Sequence, residues 1–237
     1  MERTYLKCTR QIILGSASPR RRELLQQIGL DFTVITSDVE EKVTSTVPAQ
    51  IVQELSLQKA MDVFHKVSQE YCAAAECMEN AYGLENAGGD SAELEDKSNI
   101  LVIGADTIVA LEDTILGKPY SKENAFFMLK GLQGKTHQVY TSVSLVWTEA
   151  GMIHSHTFYE KTDVEVLPMT DREIAYYVSL DTCMDKAGAY GIQNEFACFI
   201  KGISGDYNNV VGLPVGRLYQ ELQKMGFLKL QTSEDET

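Results

Sequence analysis

The sequence has no surplus of positive charge, no long apolar run and no paired cysteine motif. It has 21 Lys and Arg against 34 Asp and Glu, a formal net charge of -13, which argues against non-specific nucleic-acid binding. No apolar stretch approaches the ~20 residues that cross a bilayer, and charges interrupt the first twelve positions, unlike a signal peptide. The five cysteines include no CxxC pair, as expected of reduced thiols. We therefore expect a cytoplasmic protein that binds neither membrane nor nucleic acid.

Familiar nucleotide-binding and catalytic motifs are also missing. No P-loop, GxGxxG loop or Ser/His/Asp arrangement is visible, and the four histidines do not have metal-ligand spacing. What is present is an alternation of β-branched apolar runs with segments at helical spacing, which predicts an α/β fold. A length of 237 residues fits one large domain or two small lobes.

The alternation predicts the following elements. Strands are expected at "QIILG", "FTVITS", "NILVIGADTIVALE", "THQVYTSVSLVW" and "IHSHTFYEKTDVEVL", with "TILGKP" as a short return segment. Helices are expected from Pro19, over 49–67 and 121–132, after Thr170, and over 213–225. Ser18 is predicted to cap the first helix, and Thr170 has a glutamate at capping-box spacing, Glu173.

Residues 68–99 differ in composition from the rest of the chain. They contain eight acidic residues and one basic residue, and we interpret them as an acidic insert, part helical and part disordered. A solvated surface and a partner-binding segment are both open for this insert. Residues 231–237 are predicted to be a disordered tail.

The stretch "LGSASPRRRELL" places arginines where a strand is predicted to become a helix. A helix N-terminus presents unpaired N–H groups and partial positive charge, which suit a phosphate. Hydroxyls of Ser16 and Ser18 and the guanidinium groups of Arg20 and Arg21 would add donors. The alternative is a surface helix with solvated arginines.

Two carboxylates are candidates for chemistry. Asp106 lies inside an apolar strand, where an unpaired charge is costly, so it needs a ligand, a metal or a structural ion pair. Glu41 lies in a loop just after a strand and, with Asp106, would offer hard oxygen ligands to a divalent cation. Glu41 alone is one acid among many.

Three further side chains are weaker candidates. Lys59 lies on the apolar face of its helix and Lys118 follows a strand, so that each is either a point charge for phosphate or a solvated lysine. The amide of Gln193 in "AYGIQNEF" donates and accepts at once, which suits a base edge, although a capped turn explains it equally.

Taken together, these segments resemble the Maf family of nucleoside triphosphate pyrophosphatases. The resemblance rests on seven stretches in order: "LGSASPRRRELL", "SDVEE", "LSLQKA", "IGADTIV", "LGKP", "DKAGAYGIQ" and "GISGDYNNVVGLP". It implies one domain over 1–237, an elongated mixed-sheet fold similar to the inosine triphosphate pyrophosphatases, with two lobes and a deep cleft. It further implies hydrolysis of a triphosphate to a monophosphate and pyrophosphate, a divalent metal (Mg or Mn) and a homodimer.

The resemblance also implies roles for individual residues. The catalytic set would be Asp106, Glu41, Lys59 and Lys118, with Glu41 and Asp106 also binding the metal. Ser16, Arg20 and Arg21 would hold the phosphates. The subfamily acting on dTTP and UTP has the residues that stand here as Arg20, Thr107 and Gln193, whereas the subfamily acting on 7-methyl-GTP typically has a bulky aromatic at the position of Arg20.

The resemblance leaves some choices open. Asn194 stands where the family usually has Gly, which could change the base-contacting loop. Modified pyrimidine nucleotides are an alternative substrate class. A nucleotide-binding regulator of cell division or septum formation with little turnover is an alternative function.

Overall fold

The computed structural model of the chain describes residues 4–82, 99–112 and 114–232. Within these ranges the strands are β1 Thr4–Cys8, β2 Gln11–Leu14, β3 Phe32–Val34, β4 Ile100–Leu111, β5 Thr114–Leu116, β6 Thr136–Glu149, β7 Met152–Val166, β8 Ile200–Ser204 and β9 Leu228–Thr232. The helices are α1 Pro19–Gln27, α2 Pro48–Tyr82, α3 Lys122–Leu132, α4 Asp171–Ser179, α5 Tyr207–Val211 and α6 Val215–Lys224. The expected α/β class is confirmed.

A mixed seven-stranded sheet organises the molecule. Its strand order is β3-β2-β4-β6-β7-β8, with β5 added beside β4. Strand β2 pairs in parallel with β3 and β4, and the remaining pairs are antiparallel. A separate antiparallel ribbon joins β1 to β9.

One edge of β4 changes partner along its length. Its first half pairs with β2 as far as Ile103, and its last residues pair with β5 from Val109 onward. On that edge, no strand in the described part of the chain pairs with residues 104–108, while β6 covers the opposite edge from Leu101 to Ala110. The sheet therefore has a local opening beside the middle of β4.

The two faces of β4 contact different cores. Leu101, Ile103, Ala105 and Val109 belong to the large hydrophobic core, whereas Val102 and Ile108 pack against α2, as expected of the period of two in a strand. At Gly104 the helix comes so close that an added Cβ would lie 2.6 Å from the Ser56 carbonyl oxygen. The absence of a side chain at Gly104 thus sets how closely α2 packs on the sheet.

The helix beginning at Pro48 is longer than the prediction over 49–67. The backbone remains helical to Tyr82, and the Ala- and Glu-containing stretch after residue 67 has high helix propensity. The first part of the acidic insert is thus helix, and the prediction of disorder falls on residues 83–98, which lie outside the described residues. Although α2 has 35 residues, neither it nor any other helix in the described ranges is apolar enough over sufficient length to span a membrane.

Smaller differences from the predictions have local causes. The tail prediction is wrong for residues 231 and 232, since they belong to β9, which pairs with β1; residues 233–237 lie outside the described ranges. Ser18 occupies the N-cap position of α1 without a side-chain cap bond, and its backbone N–H donates to the Ser16 hydroxyl at 3.3 Å. The capping box of Thr170 and Glu173 is confirmed.

Candidate active site

A cavity of about 810 Å³ lies beside the opening in the sheet. Its lining includes the ends of β2 and α1, the middle of β4, one side of α2 and the segments around residues 185–194 and 210–212. All the site residues predicted from the sequence line it: Ser16, Arg20, Arg21, Glu41, Lys59, Asp106, Thr107, Lys118 and Gln193. The fold thus brings together groups that are far apart in the chain.

On the α2 face of β4, two carboxylates bind one lysine. The ammonium nitrogen Nζ of Lys59 lies 2.5 Å from Oδ1 of Asp106 and 2.8 Å from Oε1 of Glu41. The side chains of Lys59 and Asp106 are only 19% and 13% exposed, whereas that of Glu41 is 51% exposed. The ion pair considered for Asp106 is therefore present, and it lies inside the cavity rather than in a closed core.

On the other face of β4, Arg21 is held in one orientation by three hydrogen bonds. Its Nε donates to the carbonyl oxygen of Gly212 at 2.9 Å, Nη1 to the Ser16 hydroxyl at 3.0 Å, and Nη2 to the Thr107 hydroxyl at 3.1 Å. Burial lowers the pKa of Arg21 from its ordinary value, and the charge of Asp106 opposes that shift. A guanidinium fixed in this way needs little reorganisation when an anion binds.

The neighbours of Thr107 determine which group its hydroxyl donates a hydrogen bond to. The Thr141 hydroxyl donates to the carbonyl oxygen of Asn209 at 2.8 Å, so in its 3.0 Å contact with Thr107 it accepts. Because a hydroxyl has one donor, Thr107 donates to Thr141 and accepts from Arg21. Thr107 therefore has no proton left for a ligand, and it acts on a ligand by orienting Arg21.

Three consecutive arginines thus have three different environments. Arg21 lies in the cavity between the segment after β2 and the middle of β4. Arg20 also lines the cavity, where its Nη1 donates to Oδ2 of Asp185 at 2.8 Å. Arg22 is exposed and donates to the Ala17 carbonyl oxygen at 3.4 Å, so the alternative of solvated arginines holds for this residue alone.

The remaining candidates lie at the more exposed side of the cavity. Lys118 and Gln193 are both exposed in the lining. Asn194 precedes the 3-10 helix Glu195–Phe199 with φ of -106°, an extended conformation that does not require glycine. The substitution of the usual Gly is therefore accommodated without backbone strain.

Sequence reasoning missed several groups of the lining. Asp185 and Lys186 stand next to each other in the cavity wall, and Tyr190 and the Gly212 carbonyl also contribute. A Lys beside an Asp before a glycine-rich stretch is a weak signal for such a pair. A backbone carbonyl has no side-chain signal at all.

Glu41 and Asp106 are the candidate ligands of a metal ion. No group of three or more His, Cys, Asp or Glu side chains suited to a metal ion occurs in the ranges that the structure covers. Mg²⁺ is nevertheless usually held by only one or two carboxylates, because substrate phosphates and water complete its coordination. Two carboxylates that both reach the ammonium group of Lys59 are close enough together to provide them. Glu41 and Asp106 therefore fit a cation that arrives with a polyphosphate.

Comparison with known proteins identifies the family of the chain. Residues 11–225 match the family of Maf-like proteins. A protein of Agathobacter rectalis named dTTP/UTP pyrophosphatase is 52% identical over 217 residues, covering 91% of this chain and 98% of the relative. Proteins of the same name from Lachnoclostridium phytofermentans and Bacillus anthracis are 41% and 42% identical, each covering 91% of this chain and 95% of the relative. The chain therefore belongs to the Maf-like protein family.

Proposed function

We propose that the protein is a nucleoside triphosphate pyrophosphatase that hydrolyses dTTP and UTP to the monophosphate and pyrophosphate. The observation that carries the proposal is that the cavity beside the opening in the sheet holds both Arg21, in a fixed orientation, and Asp106, paired with Lys59. The relatives named dTTP/UTP pyrophosphatase support it, and they give no support to the alternative of a regulator with little turnover.

Phosphate binding is assigned to the cationic part of the cavity. The donors of Arg21 and Ser16 are oriented before the substrate arrives, and Lys59 and Lys118 add positive charge. Fixed donors of this kind stabilise negative charge as it develops on phosphate oxygens. In an acidic protein of net charge -13, their concentration here makes this cavity a favourable place for a triphosphate.

Water activation is assigned to Asp106. Lys59 binds its Oδ1 and thereby holds the carboxylate in place, so that Oδ2 can accept the proton of a water. The water oxygen forms a bond to the α-phosphorus, the bond from that phosphorus to the bridging oxygen breaks, and pyrophosphate leaves. The proton passes to Asp106, and no covalent enzyme intermediate is needed.

A divalent cation, Mg²⁺ or Mn²⁺, is part of the proposal. Glu41 and Asp106 would hold it together with phosphate oxygens. When bound it would supply charge neutralisation on the triphosphate. The homodimer and the cytoplasmic location stay predictions.

Base selection is assigned to the exposed side of the cavity. Uracil and thymine present two carbonyl oxygens and one N–H, which complement the amide of Gln193 and the donors of Arg20. Both side chains line the same cavity as the phosphate-binding groups.

The test is pyrophosphate release by the purified protein with Mg²⁺ or Mn²⁺ from a panel of triphosphates that includes dTTP, UTP, CTP, 5-methyl-UTP and pseudo-UTP. We expect dTTP and UTP to be preferred, and Asp106→Asn to lower kcat by at least ~100-fold because a general base contributes that much. Circular dichroism and a melting curve check that the variant is folded. Absence of pyrophosphate release from every triphosphate, with tight nucleotide binding retained, would refute the proposal.

A further inference from the structure

One carboxylate of the cavity has no part in the proposed chemistry. Asp185 lines the cavity with the cations, yet its side chain is 58% exposed and it lies on the segment after α4. A negative charge beside the phosphates would repel them. Its place in the lining therefore calls for another explanation.

Both oxygens of Asp185 already have cationic partners. Oδ2 accepts from Nη1 of Arg20 at 2.8 Å, and Oδ1 binds Nζ of Lys186 at 2.6 Å. Partial burial raises the pKa of Asp185, but the hydrogen bonds from Lys186 and Arg20 outweigh it and lower the pKa to about 2. The group is thus an ionised anchor for two cations.

Through Lys186 the anchor reaches the loop that carries Gln193. Nζ of Lys186 also donates to the Thr182 carbonyl oxygen at 2.5 Å. The stem of Lys186 lies against Gly191, where an added Cβ would be 2.7 Å from its Cε. Asp185 therefore joins Arg20, at the start of α1, to the wall of the cavity that is two residues from Gln193.

The two cavity arginines of α1 consequently have separate tasks. Arg21 is bound to Ser16, Thr107 and the Gly212 carbonyl on the phosphate side. Arg20 is bound only to Asp185 among the hydrogen bonds of the described residues. Because a guanidinium has five N–H donors, one bond to Asp185 restrains where the group lies and leaves its other donors free.

We propose that Asp185 is a positioning residue for base selectivity, which holds Arg20 so that its free donors meet the O4 carbonyl oxygen of uracil or thymine. The inference rests on the proposed function and deepens it. Cytosine presents an amino group where uracil has O4, so a fixed donor favours uracil over cytosine. Without Asp185, Arg20 can turn toward the phosphates, which are the same in both nucleotides.

The test compares Asp185→Asn with a matched control, Asp181→Asn. Asp181 lies on the same segment, pairs with Lys122 at 2.8 Å and is 62% exposed, but it does not line the cavity. We expect Asp185→Asn to lower the ratio of kcat/KM for UTP to that for CTP by ~10-fold, the usual scale for a hydrogen bond to a charged group. Asp185→Glu should restore part of the ratio, and Asp181→Asn should leave it unchanged.

The inference is overturned if Asp185→Asn keeps the UTP to CTP ratio within twofold. This includes the result expected of a purely structural residue, in which kcat/KM falls equally for both nucleotides. Calorimetric affinities for UMP and CMP, which need no turnover, measure the same selectivity independently. If no triphosphate is hydrolysed but UMP still binds more tightly than CMP in an Asp185-dependent way, the proposed function fails while the inference stands.

Discussion

Replacing Gly104 by alanine should separate α2 from the sheet and disturb the carboxylate pair. The new Cβ would lie 2.6 Å from the Ser56 carbonyl oxygen, 2.7 Å from Cβ of Ala60 and 2.8 Å from its backbone nitrogen. Two of these three atoms belong to the helix backbone, so no side-chain rotation relieves the contact. Ordinary contact begins at 3.4 Å, and α2 would have to retreat by about 0.8 Å at this point.

The retreat has a cost in stability and in geometry. The Ser56 hydroxyl contacts the hydroxyls of Ser142 and Ser144 at 2.9 and 2.8 Å, and these buried contacts would lengthen. Overpacking together with weakened hydrogen bonds should lower the free energy of unfolding by about 2–3 kcal/mol. For a chain of this size that corresponds to a fall in Tm of roughly 5–10 °C.

Activity should fall as well, because Lys59 is the neighbour of Ala60 and its ammonium holds Asp106. We expect kcat/KM to fall by ~10-fold, since sub-ångström displacement of catalytic groups is costly. Differential scanning fluorimetry and pyrophosphate release measure the two effects. Gly216→Ala is the control: it lies in α6 with nothing within 4 Å of an added Cβ, and it should raise stability by about 0.5–1 kcal/mol. A Gly104→Ala protein with the same Tm as the wild type would refute the close packing of α2 on the sheet.

Two further predictions concern the polar groups of His137 and Thr107. His137 is fully buried beside the Tyr190 hydroxyl, and burial lowers its pKa to about 4. It therefore stays neutral in the folded state while the unfolded chain takes up a proton below pH 6.5, so stability from this residue is complete above pH 6.5 and is lost as the pH falls toward 4. The free energy of unfolding, measured in urea, falls from pH 7.5 to pH 5, and this fall should be about 2 kcal/mol smaller in His137→Gln than in the wild type. An equal fall in both proteins would contradict the assignment. Thr107→Val removes one acceptor of Arg21 and should raise KM for UTP by ~10-fold, while Thr107→Ser should not; unchanged kinetics of the valine variant would show that Arg21 does not depend on this bond.

The candidate site was predictable where its signals are local. Pro19 marks the start of α1, and a carboxylate inside "IGADTIV" has no apolar explanation, so Arg21 and Asp106 could be selected from short stretches of sequence. Their roles came from the resemblance, but their presence in one cavity is a result of the fold. The strands that carry alternating or β-branched patterns were predictable for the same reason.

Features that depend on distant partners could not be predicted. The ion pair of Arg20 with Asp185 joins residues 165 positions apart, and nothing near either residue indicates the other. Strand β8 is largely exposed, so it lacks the buried pattern that identifies β4. The extent of α2 beyond residue 67 could be predicted only as a partly helical insert, because its composition favours a helix without indicating where the helix ends.

The division of the site between the two faces of β4 has a consequence for how its length can vary. Asp106 and Thr107 are adjacent, yet one serves the lysine of α2 and the other the arginine of α1, because successive side chains of a strand point in opposite directions. Inserting or deleting a single residue between Ile103 and Asp106 would exchange these orientations, and the acid would face the wrong helix. Changes in substrate preference within this architecture must therefore arise by replacement of side chains in β4 or by remodelling of the surrounding segments, never by a one-residue change in the spacing of this strand.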